Sequence, residues 1–177
     1  DPAVVAGGFG YLRGPDGVMI ENAQSGTTER FNHVHMYHEH PRCAMDWYVT
    51  HLGARMPQGR GGAAAAPADG GDCHTKLYAP PTWPSFAKTG FVRDPAGGVN
   101  IDDISISIRP WPGGGLVSTR GKLVDHWAVS TADLDATVAR LKRENVKFLE
   151  EIHAWGSSRA AMIEGPDRIA IEIVEVK

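Results

Sequence analysis

The C-terminal half contains LVDHWAVSTADLDATVARLKRENVKFLEE at positions 123–151 and MIEGPDRIAIEIVE at positions 162–175. The first segment opens with an alternating strand pattern. It continues with apolar residues three to four positions apart, which is typical of an amphipathic helix. Ser130 and Asp133 have the spacing of a capping box at the helix start, and Asn145 suits the left-handed position at its end. The second segment joins a Gly-Pro-Asp turn to an alternating run. We therefore predict a strand, a helix and closing strands in this order.

The N-terminal half repeats the strand and helix pattern. FNHVHMY at 31–37 alternates as a strand does, and the apolar helix stripe that follows ends at a glycine cap, Gly53. His33 precedes this cap by 20 residues, and His126 precedes Asn145 by 19. The matched spacing indicates two related modules, each with a histidine on its opening strand.

A second repeat joins a turn to a glutamate. GPDGVMIE occupies 14–21 and GPDRIAIE occupies 165–172, so seven positions separate glycine from glutamate in both copies. Residues 9–24 around the first copy predict two strands joined by a Pro-Asp-Gly turn. Because this copy precedes the first histidine strand, residues 1–30 are interpreted as a strand segment that completes or precedes the first module.

The rest of the chain divides into two strand-helix-strands modules in this interpretation, at 31–115 and 121–177. Within the first module, Gly, Ala and Pro dominate residues 56–73, which predicts a flexible surface loop. Residues 99–108 alternate strongly and predict extended structure. Prolines and glycines at 110–115 mark a linker between the modules.

Composition excludes several classes of protein. The chain has 177 residues with 42% hydrophobic residues and a net charge of −3, as in a globular protein without the basic excess of nucleic-acid binders. No apolar run approaches the ~20 residues that cross a bilayer. The chain begins with Asp1, which predicts removal of an N-terminal segment and is compatible with a soluble protein that is either cytoplasmic or exported. Cys43 and Cys73 are expected to be unrelated thiols rather than a disulfide.

The repeated histidine and glutamate residues predict a metal site. Such side chains on an interior sheet face are costly unless they are paired, and one divalent cation would satisfy them. His126 and Glu172 are the strongest candidates, and the repeats add His33 and Glu21. Imidazole and carboxylate ligands suit Zn, Ni, Co, Mn or Fe.

Some alternatives stay open at this point. His35 shares a strand face with His33 and competes with it as a ligand, and Asp102 is a weaker rival of Glu21. The other histidines nearby, His38, His40 and His51, are expected at the surface or in loops.

The same segments, with FNHVHMY and AMDWYVTHLGA in the first half, resemble the vicinal oxygen chelate superfamily of glyoxalases, bleomycin resistance proteins and extradiol dioxygenases. The resemblance implies an α+β fold in which paired βαβββ modules form a curled mixed sheet, an open cup around a metal. It implies that His33, His126 and Glu172 are ligands, with Glu21 as a fourth, and that the protein forms homodimers.

Three functions follow as expectations from the resemblance. The first is a metal-dependent lyase or isomerase that binds a small substrate through neighbouring oxygens, with Glu172 or Glu21 carrying the proton. The second is an iron or manganese ring-cleaving dioxygenase that uses His33, His126 and Glu172. The third is a non-enzymatic protein that binds a drug-like small molecule. None of these functions involves nucleic acid or a membrane.

Overall fold

The computed structural model describes residues 3–6, 9–23, 30–57, 73, 97–111 and 113–176. Within these residues the helices are α1 (Pro41–Leu52) and α2 (Leu134–Arg143). The strands are β1 (Ala3–Ala6), β2 (Phe9–Arg13), β3 (Met19–Ala23), β4 (His33–His38), β5 (Gly97–Ile101), β6 (Ile104–Pro110), β7 (His126–Thr131), β8 (Phe148–Trp155), β9 (Ser158–Glu164) and β10 (Ala170–Glu175). They form three separate open sheets. The predicted α+β class is confirmed. None of the helices described here is long and apolar enough to span a membrane.

The C-terminal part combines α2 with the sheet β7-β10-β9-β8. The outer strand β7 runs parallel to β10, and the other pairs are antiparallel. The Asp133 side chain accepts a hydrogen bond of 2.8 Å from the Ala136 N–H and caps α2. Leu134, Val138 and Leu141 are the buried side chains of the helix. Burial of each leucine contributes roughly 1.5–3 kcal/mol, so α2 is held mainly by its apolar stripe.

The preceding part combines α1 with the sheet β4-β6-β5, in which β4 and β6 are parallel. Pro41 occupies the first turn of α1, where a missing N–H costs nothing. Gly53 ends the helix with a left-handed φ of 67°, as predicted. Met45 and Tyr48 are fully buried and join the same core cluster as the leucines of α2. The two parts therefore share one core.

An N-terminal hairpin sheet, β1-β2-β3, precedes both parts. The turn between β2 and β3 is closed by a 2.8 Å hydrogen bond from the Gly14 N–H to the Val18 oxygen. The turn between β9 and β10 has the equivalent bond, from the Gly165 N–H to the Ile169 oxygen, also 2.8 Å. The sequence repeat is therefore a structural repeat. The hairpin reproduces the end of the C-terminal sheet.

The cysteines differ from the sequence-based expectation. Cys43 on α1 forms a disulfide with Cys73, 30 positions later. The prediction of unrelated thiols is wrong because the chain after α1 returns to bring their Cα atoms within 4.9 Å, which residue spacing does not reveal. The loop predicted at 56–73 falls mainly on residues 58–72, which lie outside the described part of the chain.

Two local predictions also need correction. Residues 99–108 are not continuous extended structure, because a turn at Asp102, with φ of 49°, folds them into the hairpin of β5 and β6. The helix cap is Asp133 alone rather than a Ser130–Asp133 box, because Ser130 still belongs to β7. By contrast, Asn145 adopts the predicted left-handed conformation, with φ of 59°.

His38 links the two parts of the protein, although the sequence predicted a surface or loop position for it. Its side chain is 1% exposed, and its Nδ1 lies 2.7 Å from Asp167 Oδ2 in the turn before β10. Its Nε2 lies 3.4 Å from the Tyr48 hydroxyl, and burial raises the pKa of that phenol. The prediction is wrong because alternate residues of β4 ending at His38 face the core.

Candidate metal centre

Strand β4 presents two imidazoles on one face. His33 and His35 are two positions apart, so their side chains leave the strand on the same side. Their ring centroids are 5.0 Å apart. On the parallel neighbour β6 they pair with Ser105 and Ser107, whose side chains are small and leave space above this face. The opposite face of β4 packs into the core.

Glu21 on β3 brings a carboxylate to these imidazoles. Its Oε1 lies 3.4 Å from His33 Nε2 and its Oε2 lies 3.3 Å from His35 Nε2. One ligand atom from each of the three residues lies within 4.8 Å of the others. Glu21 Oε2 is buried and has no hydrogen-bond partner. An unsatisfied buried carboxylate oxygen costs roughly 1–3 kcal/mol or more, and a cation would remove this cost.

The hydrogen bonding of His33 also favours a cation beside Glu21. Its Nδ1 contacts the amide oxygen of Asn32, which can only accept a hydrogen bond. The neutral ring therefore carries its proton on Nδ1 and directs the Nε2 lone pair at the Glu21 oxygen 3.4 Å away. Two acceptors that face each other repel unless a proton or a metal ion lies between them.

The environment of His35 favours the neutral form of this ring. Burial lowers the pKa of His35, the Glu21 carboxylate opposes this effect, and the Arg109 and His33 charges add to it. A neutral imidazole can donate its lone pair to a metal, whereas a protonated one cannot. The donor set of one carboxylate and two imidazoles therefore fits a divalent transition metal.

The C-terminal module holds a second histidine–glutamate pair. His126 Nε2 on β7 lies 3.7 Å from Glu172 Oε2 on β10, and Glu172 is nearly fully buried. Asp125 Oδ1 contacts His126 Nδ1 at 2.8 Å, so the Nε2 lone pair faces Glu172. This hydrogen bond is the largest of the effects that lower the pKa of Asp125 to about 2, ahead of the Gly121 N–H. An acceptor on the far nitrogen is common among metal-binding histidines.

Strand register relates the two modules residue by residue. His33 pairs with Ser105, and His126 pairs with Ala170. Two positions further along the closing strand, the second module has Glu172 and the first has Ser107. The first module therefore lacks its own closing carboxylate, and the N-terminal hairpin supplies one through Glu21.

The structure brings the predicted site residues together in two groups. Glu21 lies with His33 and with the rival candidate His35, whereas His126 lies with Glu172. Among the described residues, Glu21, His33 and His35 form the one group of three or more such ligands within 4.8 Å. The other rival, Asp102, lies exposed in the β5–β6 turn. The strand face that His35 shares with His33 already indicates it as a possible member of the group. Only the position of the hairpin shows that Glu21 contacts both histidines.

A pocket of about 760 Å³ lies between the modules. Val34, Ile106, Trp127 and Ile173 line it, and Arg140 adds a charged group. These apolar residues belong to the strand faces opposite the histidines, because side chains alternate along each strand. The histidines and glutamates of the two groups do not line this pocket.

A sequence model of the Glyoxalase/Bleomycin resistance protein/Dioxygenase superfamily matches residues 30–173. The chain belongs to this superfamily. The matched range covers both helices and strands β4–β10, but it leaves the hairpin with Glu21 outside. Among curated protein sequences, none matches the chain.

Several solved structures share the fold. A glyoxylase/bleomycin resistance protein/dioxygenase domain from Frankia sp. EAN1pec has a TM-score of 0.54 at 16% identity, over 85% of this chain and 100% of that one. A superfamily member from Sphaerobacter thermophilus has a TM-score of 0.53 at 12% identity, over 84% and 98%. TnmS3, an antibiotic-binding protein from Streptomyces sp. CB03234, has a TM-score of 0.52 at 16% identity, over 86% and 100%. These identities are low enough that the similarity establishes the fold alone.

Proposed function

We propose that this protein is a divalent-metal-dependent lyase or isomerase of the glyoxalase type, acting on a small substrate that offers neighbouring oxygens. The observation that carries the proposal is the buried Glu21 oxygen, which faces imidazole nitrogens and has no hydrogen-bond partner. A buried carboxylate oxygen that faces an imidazole and accepts no hydrogen bond is a poor structural arrangement and a good metal-binding one. Membership of the superfamily supports the same reaction class.

The proposed ligands are His33, His126, Glu172 and Glu21. Their nitrogen and oxygen donors suit Zn, Ni, Co, Mn or Fe, and do not distinguish among these metals. When bound, such an ion supplies Lewis acidity, which stabilises negative charge that develops on a substrate oxygen.

The chain's own residues would carry the proton. Glu172 is almost fully buried, and an acceptor in that setting can take a proton from a carbon next to a carbonyl and return it nearby. Glu21 would have the equivalent role on the other side. Arg109 on β6 is the register partner of Tyr37 on β4, so its side chain lies on the same sheet face as the histidines. Its charge would favour a substrate with an anionic group.

Specific observations favour two other functions. One carboxylate and two imidazoles are the ligand types of non-haem iron oxygenases, which supports a ring-cleaving dioxygenase as an alternative. The pocket beside Trp127, which has apolar and polar lining residues, supports small-molecule binding without catalysis, together with the similarity to an antibiotic-binding protein. A homodimer remains a prediction in each case.

Metal removal and restoration test the proposal. We expect tag-free protein to contain near-stoichiometric metal by elemental analysis, and to lose turnover after chelation and regain it on reconstitution. The assay panel is a set of α-hydroxycarbonyl compounds, with catechols and oxygen uptake for the dioxygenase. Glu172→Gln is expected to lower kcat about 100-fold or more, the usual size of a lost general base. Metal-loaded protein without turnover on any of these compounds would contradict an enzymatic role, and tight binding of an aromatic ligand would then favour the binding function.

A further inference from the structure

We propose that Glu21, His33 and His35 form a self-sufficient three-ligand cation site in the N-terminal half, with His35 as a ligand in its own right. The proposal rests on the metal dependence proposed above but not on the proposed reaction, and its ligand set is an alternative to the four ligands named there. It assigns the ion to residues of β3 and β4, and it makes the N-terminal hairpin a metal-binding element. It takes a divalent transition metal.

The first argument is the number of converging donors. Glu21, His33 and His35 offer three ligand atoms within 4.8 Å of one another. The pair in the C-terminal module offers two, separated by 3.7 Å. Three ligands from one carboxylate and two imidazoles leave open coordination positions for water or substrate. Affinity for the ion should therefore depend on the N-terminal group more than on the pair.

The second argument comes from a difference between the modules. The first module has His35 where the second has Ala128, and it has Ser107 where the second has Glu172. His35 and Ser107 are direct partners across β4 and β6. Compared with the second module, the first therefore has an additional imidazole on β4 and no carboxylate on the adjacent strand. Its face holds two donors, His33 and His35, and Glu21 adds a third.

The third argument is the buried oxygen. Glu21 Oε2 lies 3.3 Å from His35 Nε2 and yet forms no hydrogen bond, while Oε1 faces the lone pair of His33. In a structural role, the carboxylate would be paired with a donor. The hairpin instead holds Oε1 against the lone pair of His33 and leaves the buried Oε2 unpaired beside His35, an arrangement that a cation among the three residues would stabilise.

Metal titration of the full chain tests the assignment. Co²⁺ is added to metal-free protein, and binding is followed by calorimetry and by the visible absorption of the bound ion. We expect His35→Ala and Glu21→Gln each to weaken Co²⁺ binding at least about tenfold, the effect of losing even an outer-sphere partner of a metal. We expect the loss for His126→Ala to be at least about tenfold smaller than for His35→Ala. His153→Ala, at a partly exposed histidine on β8 that belongs to neither group, is the matched control and should bind as the wild type does.

The outcomes separate this inference from the proposed function. A larger loss for His126→Ala than for His35→Ala would overturn the N-terminal site while it supports the four-ligand set of the proposed enzyme. Equal losses would also overturn it, because the ion would then bridge the modules. Wild-type protein that binds no Co²⁺ would overturn both proposals. Circular dichroism of each metal-free variant shows whether it is folded, and Glu21→Gln gives a near-isosteric second test should His35→Ala not fold.

Discussion

The two histidine–glutamate pairs arise from the same local sequence pattern and are assembled in different ways. Glu172 follows His126 by 46 residues, but their strands are direct neighbours in one sheet, so backbone hydrogen bonds set their separation. Glu21 precedes His33 by only 12 residues, but the two lie on strands of different sheets. The C-terminal pair is therefore fixed by strand register, and the N-terminal group by the packing of a hairpin. The pair that is closer in sequence is therefore not the pair that shares a sheet.

The two modules also differ in how their helices are secured. Helix α1 carries Cys43, which is bonded to Cys73, whereas the C-terminal module contains no cysteine. Helix α2 instead begins with the Asp133 side-chain cap and ends in the left-handed Asn145, so its termini are satisfied locally. The first module depends on long-range links where the second depends on local ones.

The largest expected effect comes from breaking the disulfide. Reduction, or Cys43→Ser with Cys73→Ser, releases a loop of 30 residues, which corresponds to about 3–4 kcal/mol of stability in the chain-entropy description. Urea unfolding with and without reductant measures the difference. The C-terminal module should keep its native hydrogen-exchange protection under reductant at low urea. Loss of protection in both modules at once would show that the contrast between local and long-range links is wrong.

A smaller effect is expected from the buried link between the modules. Asp167→Gly removes the carboxylate that contacts the buried His38 Nδ1 and accepts a hydrogen bond from the Glu39 N–H, at a cost of about 1–3 kcal/mol for the unpaired buried ring. Glycine suits the left-handed backbone at this position, where φ is 54°, so the loss reports the side chain rather than strain.

Asp167→Asn is the control, because it keeps an acceptor for His38. Equal unfolding free energies for Asp167→Gly and Asp167→Asn would mean that the hydrogen bond does not stabilise the junction. Exposed Asp135→Ala, which loses only a surface ion pair with Arg159, should cost less than about 1 kcal/mol.

The contrast between local and long-range order also explains what the sequence could predict. The elements of the C-terminal module can be predicted because their signals are local. These signals are the strand alternation, the apolar stripe of Leu134 to Leu141, and the turn at 165–169. The repeats predict Glu21 and His33 as site residues, and the structure brings the two together. The alternation along β4 could have placed His38 in the core. Two other features depend on how distant segments pack: the choice of His35 by the hairpin and the Cys43–Cys73 bond. Such packing has no periodic signature in the sequence, and it escaped prediction for that reason.

The smallest expected effect is pH-dependent and tests a second link between the modules at the surface. His51 Nδ1, near the end of α1, lies 2.8 Å from Glu144 Oε2, just after α2. The hydrogen bond from His51 lowers the pKa of Glu144, and Arg140 adds to the effect. A carboxyl whose pKa is lower in the folded state stabilises the fold above its unfolded pKa of about 4.3. That contribution is lost as the pH falls through the folded pKa.

Glu144→Gln should therefore lower the free energy of unfolding by a nearly constant amount above about pH 5, and the difference from wild type should shrink as the pH falls below the unfolded pKa of about 4.3. Urea titrations at a series of pH values measure it, with the more exposed Glu151→Gln as control. A difference that stays constant from neutral to acidic pH would mean that Glu144 titrates alike in both states. The effect of Glu144→Gln on stability is small because water screens the partly exposed Glu144 carboxylate. His38, the partner of Asp167, is buried and is screened much less.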